Sequence, residues 1–376
     1  MQPSIVFNYL IEMHQRDATD LYLTVGFPPS LRVRDAIQSL SSTILSDKDL
    51  DGILSQILTT RQRRDFEMRN ELNIAFDMGD YGRYRINVMQ QRHHPALVIR
   101  RIISKIPEFT DLSLPPIFES LSLIKRGLVL VTGMTGSGKS TTLASMIDYR
   151  NRHEEGHIIT IEDPIEYYHD HKKSIITQRE VGTDTDSYAT ALKNALRQRP
   201  DVILVGEIRD REVMEQALTA AETGHLCLAT LHTNNAYQAI ERIVNFFPEE
   251  QFKQVRLNLA TNLKAIISQR LIPALPTGMT LALEIMLNEG HIRELILEGK
   301  IAKIRDMLES NAASGMCSFD QSLLELFKKN LISEEVALQN SDMPADLKMK
   351  IKQLHLSSGK TALSSMDTSK IKMSDS

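Results

Sequence analysis

Apolar residues recur along this chain with two different periods, and the pattern changes near residue 127. Ile5, Tyr9, Leu10 and Met13 repeat at helical spacing, which predicts a helix over residues 4–15. Residues 20–25, Asp-Leu-Tyr-Leu-Thr-Val, read as a strand stopped by Gly26 and the Pro28-Pro29 pair. A second helix is expected over 46–58. Strands are expected over 72–76 and 83–89, joined by a turn at 79–82, and over 96–102. These pieces predict a small α+β domain over residues 1–105. Within 83–88 polarity alternates strictly, so Arg83, Arg85 and Asn87 share one face and Tyr84, Ile86 and Val88 the other.

Residues 106–126 carry Pro107, Pro115 and Pro116 and read as a linker with one short helix. From Gly127 the apolar runs become nearly continuous, at 128–132, 157–161, 202–205 and 226–231. Helical patterns alternate with them, from Lys139, over 187–197, over 211–223 and from Ala236. Such alternation predicts a parallel sheet covered on both faces, and an α/β domain over 127–350. Helices are expected to dominate after residue 250. The end of the chain, 351–376, becomes rich in Ser, Lys and Thr and is expected to be disordered, because it has too little apolar surface to offset ordering entropy.

Composition narrows the function classes. A length of 376 residues fits two domains. The formal charge of −4 lacks the basic bias of chains that hold nucleic acid, so no nucleic-acid partner is expected. No apolar run approaches the ~20 residues of a membrane span. The first residues lack a basic segment, apolar core and cleavage site, so a cytoplasmic location is expected. Cys227 and Cys317 belong to no CxxC pair, and neither a disulfide framework nor a cysteine zinc site is suggested.

The sharpest chemical signal is Gly133-Met-Thr-Gly-Ser-Gly-Lys139-Ser140, which fits G-x4-G-K-[ST] between an apolar strand and a helix. Glycines let successive N–H groups turn inward toward phosphate oxygens, and the helix N-terminus adds partial positive charge. Gly133, Thr135, Gly136, Ser137, Gly138, Lys139, Ser140 and Thr141 are therefore candidate ligands of ATP. Lys139 is placed to reach the terminal phosphates and Ser140 to bind Mg²⁺.

Hydrolysis needs further groups to orient water and hold the metal. Ligands of open α/β sheets sit beyond the carboxyl ends of the strands. Two acidic clusters fall there: Glu162-Asp163-Pro164-Ile165-Glu166 after the strand 157–161, and Glu207 after 201–206. Glu166 is the candidate base and Glu207 a candidate metal ligand through water, with Glu162 and Asp163 as secondary candidates. His232, at the carboxyl end of the strand 226–231, is placed to sense a terminal phosphate, whereas His225 falls at that strand's start.

The order of these pieces resembles the secretion ATPase superfamily: phosphate loop, IEDPIE, VILVGEIRDRE, then AETGHLCLATLHTNNA. Within it the chain is most similar to the type IV pilus retraction ATPases of the PilT/PilU group. Ala18-Thr-Asp-Leu-Tyr, Gly26-Phe-Pro-Pro, Lys125-Arg-Gly-Leu-Val, Gln178-Arg-Glu-Val-Gly182 and Gly315-Met-Cys-Ser-Phe-Asp-Gln-Ser-Leu extend the likeness over residues 1 to about 350. GHLCLATLHTNNAYQAIERI and FDQSLLELF read like the PilU subtype. Leu295-Ile-Leu-Glu-Gly-Lys-Ile stands where PilT-type chains carry an Ala-Ile-Arg-Ala-Gly-type motif.

The resemblance implies an N-terminal PAS-like α+β domain followed by a RecA-like motor domain. It implies a homo-hexameric ring that hydrolyses ATP with Mg²⁺, and an inner-membrane pilus platform protein as partner, beside a PilT-type motor. The protein would then be peripheral at that membrane through its partners. It maps the loop contacts to Gly136, Gly138, Lys139 and Ser140, the base to Glu166, the second acid to Glu207, and a histidine box to His225 and His232. Arg83, Arg85 and Arg100 are expected to reach nucleotide when domains close, as cations that stabilise charge on the transferred phosphoryl group. Two other classes stay open: an ATP-binding structural ring with little turnover, and a RecA-type nucleic-acid motor.

Overall fold

The computed structural model describes residues 5–33, 36–102, 105–310 and 315–364. The chain divides into two compact units. One comprises residues 1–106 with Glu166–Tyr168, and the other 107–165 with 169–376.

In the first unit, α1 (Ile5–Gln15) is followed by β1 (Asp20–Thr24), β2 (Ser30–Val33) and β3 (Ala36–Ser39). Then come α2 (Asp47–Ile57), α3 (Thr60–Arg69), β4 (Glu71–Asp77), β5 (Arg83–Gln91) and β6 (His94–Ile102). The strands form one antiparallel sheet in the order β3-β2-β1-β6-β5-β4. Alternation along β5 behaves as the sequence predicts, with Tyr84, Ile86 and Val88 fully buried against α1 and α2 residues such as Leu10 and Ile53. Both α2 and α3 open with a capping box, at Ser46 and Thr59, which satisfies N–H groups that a helix start otherwise leaves unbonded.

The second unit opens with α4 (Ile117–Leu123), β7 (Gly127–Thr132), α5 (Lys139–His153), β8 (Gly156–Glu162) and β9 (Ser174–Glu180). It continues through α6 (Tyr188–Ala195), β10 (Val202–Val205), α7 (Arg211–Glu222), β11 (Leu226–Leu231), α8 (Ala236–Asn245) and α9 (Phe252–Asn262). The chain then forms β12 (Leu263–Pro273), β13 (Met279–Leu287), α10 (Gly290–Glu298), α11 (Ile304–Ser310), α12 (Phe319–Lys328), α13 (Glu334–Gln339) and α14 (Pro344–Ser364). The sheet order is β13-β12-β7-β11-β10-β8-β9, parallel throughout except for the β12/β13 pair. Every residue of β7, β10 and β11 is buried, as strands covered on both faces require.

Two expectations need correction. Residues after 250 are not simply helical, because β12 and β13 complete the sheet on its β7 side. Lys264 and the polar stretch 268–270 break the alternation of β12, and β13 is too apolar to show one, so neither carries a clear period of two. The end of the chain also orders further than expected. Helix α14 continues to Ser364, and Ile351 is fully buried with Leu347, Phe319 and Leu323. Residues 365–376 of the expected tail lie outside the described residues.

The connector that enters the second unit is bound along α5. Ser145 Oγ donates to the Pro107 carbonyl at 2.7 Å, Arg152 pairs with Glu108 at 2.7 Å, and Tyr149 stacks on Phe109 with ring centroids 5.0 Å apart. The buried Arg150 donates to the carbonyls of Ser122 and Ile124, at 3.2 and 2.8 Å.

At the other end of the unit, Asp320 anchors the chain between α13 and α14. Its carboxylate accepts from Ser341 Oγ at 2.6 Å and from the backbone N–H groups of Asp342 and Met343, each at 3.0 Å. Asp320→Ala removes a buried carboxylate that gathers three donors on a partly exposed turn, so it is expected to destabilise this unit by about 1–2 kcal/mol, read as a lower denaturant midpoint.

Candidate functional site

Because β7, β11, β10 and β8 are parallel neighbours, their carboxyl ends form one continuous edge. Along it lie, in order, the phosphate loop after β7, His232 after β11, Gly206-Glu207 after β10, and Glu162-Asp163 after β8. Strand spacing puts His232 roughly 5 Å and Glu207 roughly 10 Å from the loop at the level of the sheet.

The loop is shaped around its own lysine. Lys139 Nζ donates to the carbonyls of Gly133 and Met134 at 2.9 and 3.0 Å, so the chain curls round a buried ammonium. Gly136 and Gly138 hold φ of +79° and +86°, the left-handed region that glycine adopts without strain. A Cβ on Gly133 would stand 2.4 Å from Ser137 Oγ and 2.6 Å from the Gln269 carbonyl, so the tight loop has no space for a side chain there. Helix α5 begins at Gly138 with no side-chain cap, which leaves its first N–H groups for an anion. Ser137 Oγ is buried without a hydrogen-bond partner among the described residues. An unpaired buried donor, a ready cation and an uncapped helix start together fit a polyphosphate. Thr135 and Gly136 are exposed on the loop, and Ser140 and Thr141 are half-buried in the first turn of α5.

Beyond the loop, His232 Nε2 lies 3.2 Å from Glu207 Oε1. Burial, then the positive charge of Lys139, hold this imidazole below its ordinary pKa. Arg242 and Arg209 add to that, and Glu207 opposes it. The shift favours the uncharged imidazole, which can offer a hydrogen bond without carrying charge. Glu207 in turn binds Arg209 at 2.6 Å, and Arg209 reaches Asp163 at 3.4 Å. Glu162 accepts from Thr160 Oγ1 at 2.6 Å. The loop after β8 is pinned by β9, since the Ile165 N–H donates to Glu180 at 3.1 Å and the His169 N–H to Gln178 at 2.9 Å.

The structure thus brings together Lys139, His232, Glu207 and Asp163. It does not bring His225 to them. That residue precedes β11, at the amino end of the strand, where Nδ1 lies 3.0 Å from the Ala220 carbonyl. Glu166 is exposed and groups with the first unit.

In that unit Arg85, Arg100, Asp20 and Arg32 form one cross-strand row over β5, β6, β1 and β2. Arg100 donates to the buried Asp20 at 2.8 Å, while Arg83 lies over the Tyr168 ring, 3.3 Å from its centroid.

Sequence reasoning passed over two residues. Arg209, inside the quoted VGEIRDRE, carries a charge opposite to its neighbours and links both acids. Tyr188 on α6 is nearly buried, and its hydroxyl would stand 2.9 Å from a Cβ on Gly206. Burial, then the charge of Asp163, raise the pKa of that phenol far above its usual value. Asp210, next to Arg209, instead caps α7 by accepting from the Val213 N–H at 3.0 Å.

Comparison with known proteins agrees with this geometry. The family model described as "Type II/IV secretion system protein" matches residues 56–311. The type IV pilus ATPase PilU of Pseudomonas aeruginosa is 46% identical over 341 residues, covering 90% of this chain and 89% of the relative. The pilus retraction ATPase PilT of the same organism is 42% identical, covering 88% and 96%. A crystal structure of the pilus retraction motor PilT with bound ADP superposes with a TM-score of 0.86 at 43% identity, covering 93% of this chain and 99% of that one. The DotB ATPase of Legionella pneumophila gives a TM-score of 0.77 at 25% identity, covering 89% and 94%. With a phosphate loop, two acids and a histidine on one sheet edge, and relatives matched along nearly their whole length, the chain belongs to the type II/IV secretion ATPase family, within its group of pilus retraction ATPases.

Proposed function

We propose that this protein is an ATP-hydrolysing motor that works as a ring of six copies and drives or assists retraction of a type IV pilus, in a PilU-like role beside a PilT-type motor. The observation that carries the reading is the Lys139–His232–Glu207–Asp163 edge, present in a chain whose full-length relatives are named pilus ATPases. A ring that only scaffolds has no use for such a constellation.

In this reading the loop amides and Lys139 bind the phosphates of ATP. Ser140 and, through water, Glu207 would hold Mg²⁺, which supplies charge neutralisation at the phosphate oxygens when bound. The half-buried Ser140 hydroxyl at the start of α5 and the oxygen donor of Glu207 suit a hard cation. Glu166 takes the proton of the attacking water, and His232, uncharged, donates to the terminal phosphate. Arg83, Arg85 and Arg100 meet the same phosphates. Support for that role is the cationic row on one sheet face, in which four charged positions include a single carboxylate.

No described helix is long and apolar enough to cross a membrane. In this reading the protein reaches the inner membrane through its platform partner, from the cytoplasmic side.

Phosphate release measured across a dilution series, with particle mass followed in parallel, tests the ring. Turnover per chain is expected to fall at least fivefold as hexamers dissociate. A constant rate from monomer to hexamer overturns the reading.

A further inference from the structure

One buried carboxylate is left without a role by the chemistry above. Glu284 on β13 is 4% exposed, between the apolar residues 281–283 and 285–287 of its strand. It stands in register with Ser268 on β12, which stands in register with Thr132 on β7. All three are buried, and they are hydrogen-bonded in sequence. Thr132 Oγ1 donates to Ser268 Oγ at 3.1 Å, and Ser268 Oγ donates to Glu284 Oε1 at 3.3 Å. The same Oε1 accepts the backbone N–H of Ala236 at 2.7 Å.

The two ends of this chain matter. Thr132 is the residue immediately before Gly133, where the phosphate loop starts. Ala236 is the first residue of α8, and the segment leading into it starts at His232 and continues through the buried Thr233 and Asn235. Apart from the strand ladder, Glu284 thus links two loops, the His232 segment directly through Ala236 and the phosphate loop through Ser268 and Thr132, and these must keep a fixed separation if one is to hold phosphate and the other to bond it. A carboxylate is expensive to bury unless it is bonded, so its place in a core strand calls for an account.

We propose that Glu284 is a positioning residue for ATP hydrolysis, holding the entrance of the phosphate loop and the His232 segment in one hydrogen-bonded frame. The inference rests on the ATPase reading. Catalysis by preorganised groups is sensitive to misplacement well below the size of an atom, so loosening the frame lowers turnover more than binding. Burial pushes the Glu284 carboxyl up to about 7, opposed by the Ala236 N–H. Asp342 raises it further, while Ser268 and Arg270 lower it. Cys317 also faces it, and its own thiol is raised in part by Glu284. The ionised form accepts the stronger hydrogen bonds, so the frame tightens as pH rises through that region.

The test uses full-length protein and three variants: Glu284→Gln, Glu284→Leu and Thr132→Val. Steady-state phosphate release, affinity for a fluorescent ADP analogue, and amide exchange at Ala236 are measured from pH 6 to 8.5. Wild-type kcat is expected to rise at least threefold through about pH 7. Glu284→Gln, which keeps an acceptor but cannot ionise, is expected to stay near the acid-side level throughout. Glu284→Leu and Thr132→Val are expected to lose at least tenfold in kcat while ADP affinity changes less than threefold. Exchange at Ala236 is expected to quicken tenfold in Glu284→Leu.

If Glu284→Leu fails to fold, Thr132→Val and the Gln profile decide. The proposal is overturned if Thr132→Val keeps the wild-type kcat, if it loses kcat and affinity alike, or if the Gln variant shares the wild-type pH profile. Absence of turnover in the wild type with intact ADP binding would instead strike the motor reading, and the exchange measurement would still report on the frame.

Discussion

Lys139→Ala is expected to reduce ATP turnover to below about a thousandth of the wild-type rate and to weaken ATP binding at least tenfold. One preorganised donor aimed at developing charge is worth about 10²–10³ in rate. In the proposed function Lys139 is such a group, and the structure holds it as a buried ammonium bonded to two carbonyls of the loop that wraps it. Alanine removes the cation from the phosphates and also strips Gly133 and Met134 of their donor, so the loop itself relaxes. Lys139→Arg is not expected to rescue turnover, because a planar guanidinium cannot fill a space shaped to a compact ammonium. Phosphate release and calorimetric titration with ATP check both arms. A variant that retains more than a tenth of the wild-type rate would put the reacting phosphates somewhere other than this loop.

Glu166→Gln is expected to lower turnover by about 10²–10⁴, the range for loss of a general base, with ATP affinity within about threefold of wild type. The contrast with Glu162→Gln makes the experiment informative. Glu162 is already bonded to Thr160, whereas Glu166 is exposed on a segment that β9 restrains through Ile165 and His169. Glu162→Gln should therefore cost less than tenfold. If the larger loss falls on Glu162 instead, the base has been assigned to the wrong end of the acidic box.

How far the sequence could be read depended on whether a residue's role was local. The phosphate loop was legible because its backbone demands glycine at fixed spacing. The alternation of Arg83 to Val88 was legible because a strand of period two has only two faces. β12 and β13 were not, since burial on both faces over most of their length leaves no strict period of two, and Lys264, Ser268, Gln269 and Arg270 interrupt the apolar pattern of β12. Missing those strands also hid Glu284, whose meaning lies in its register with Ser268 and Thr132. Arg209 and Tyr188 escaped for a related reason: a single arginine beside acids reads as a solvated ion pair, and a tyrosine on an amphipathic helix reads as core. His225 lies at the start of β11, where the sequence alone placed it, and its grouping with His232 came only from the family resemblance. The end of the chain was judged on composition, and the two buried residues Leu347 and Ile351 sufficed to extend order past it.

Helix α5 has a mechanical consequence. It starts at the phosphate loop and spans 15 residues, so its far end lies roughly 22 Å away at 1.5 Å per residue. Ser145, Tyr149, Arg150 and Arg152 bind it to the connector from Pro107 to Ile124. A rod pushed at one end and fastened along its length does not absorb the push. A tilt of about five degrees at the nucleotide would carry the fastened segment by nearly 2 Å, comparable to the small shifts through which packed helices switch state. The connector is thus fastened along the helix whose first turn carries Lys139 and Ser140, so a tilt of α5 would displace it directly.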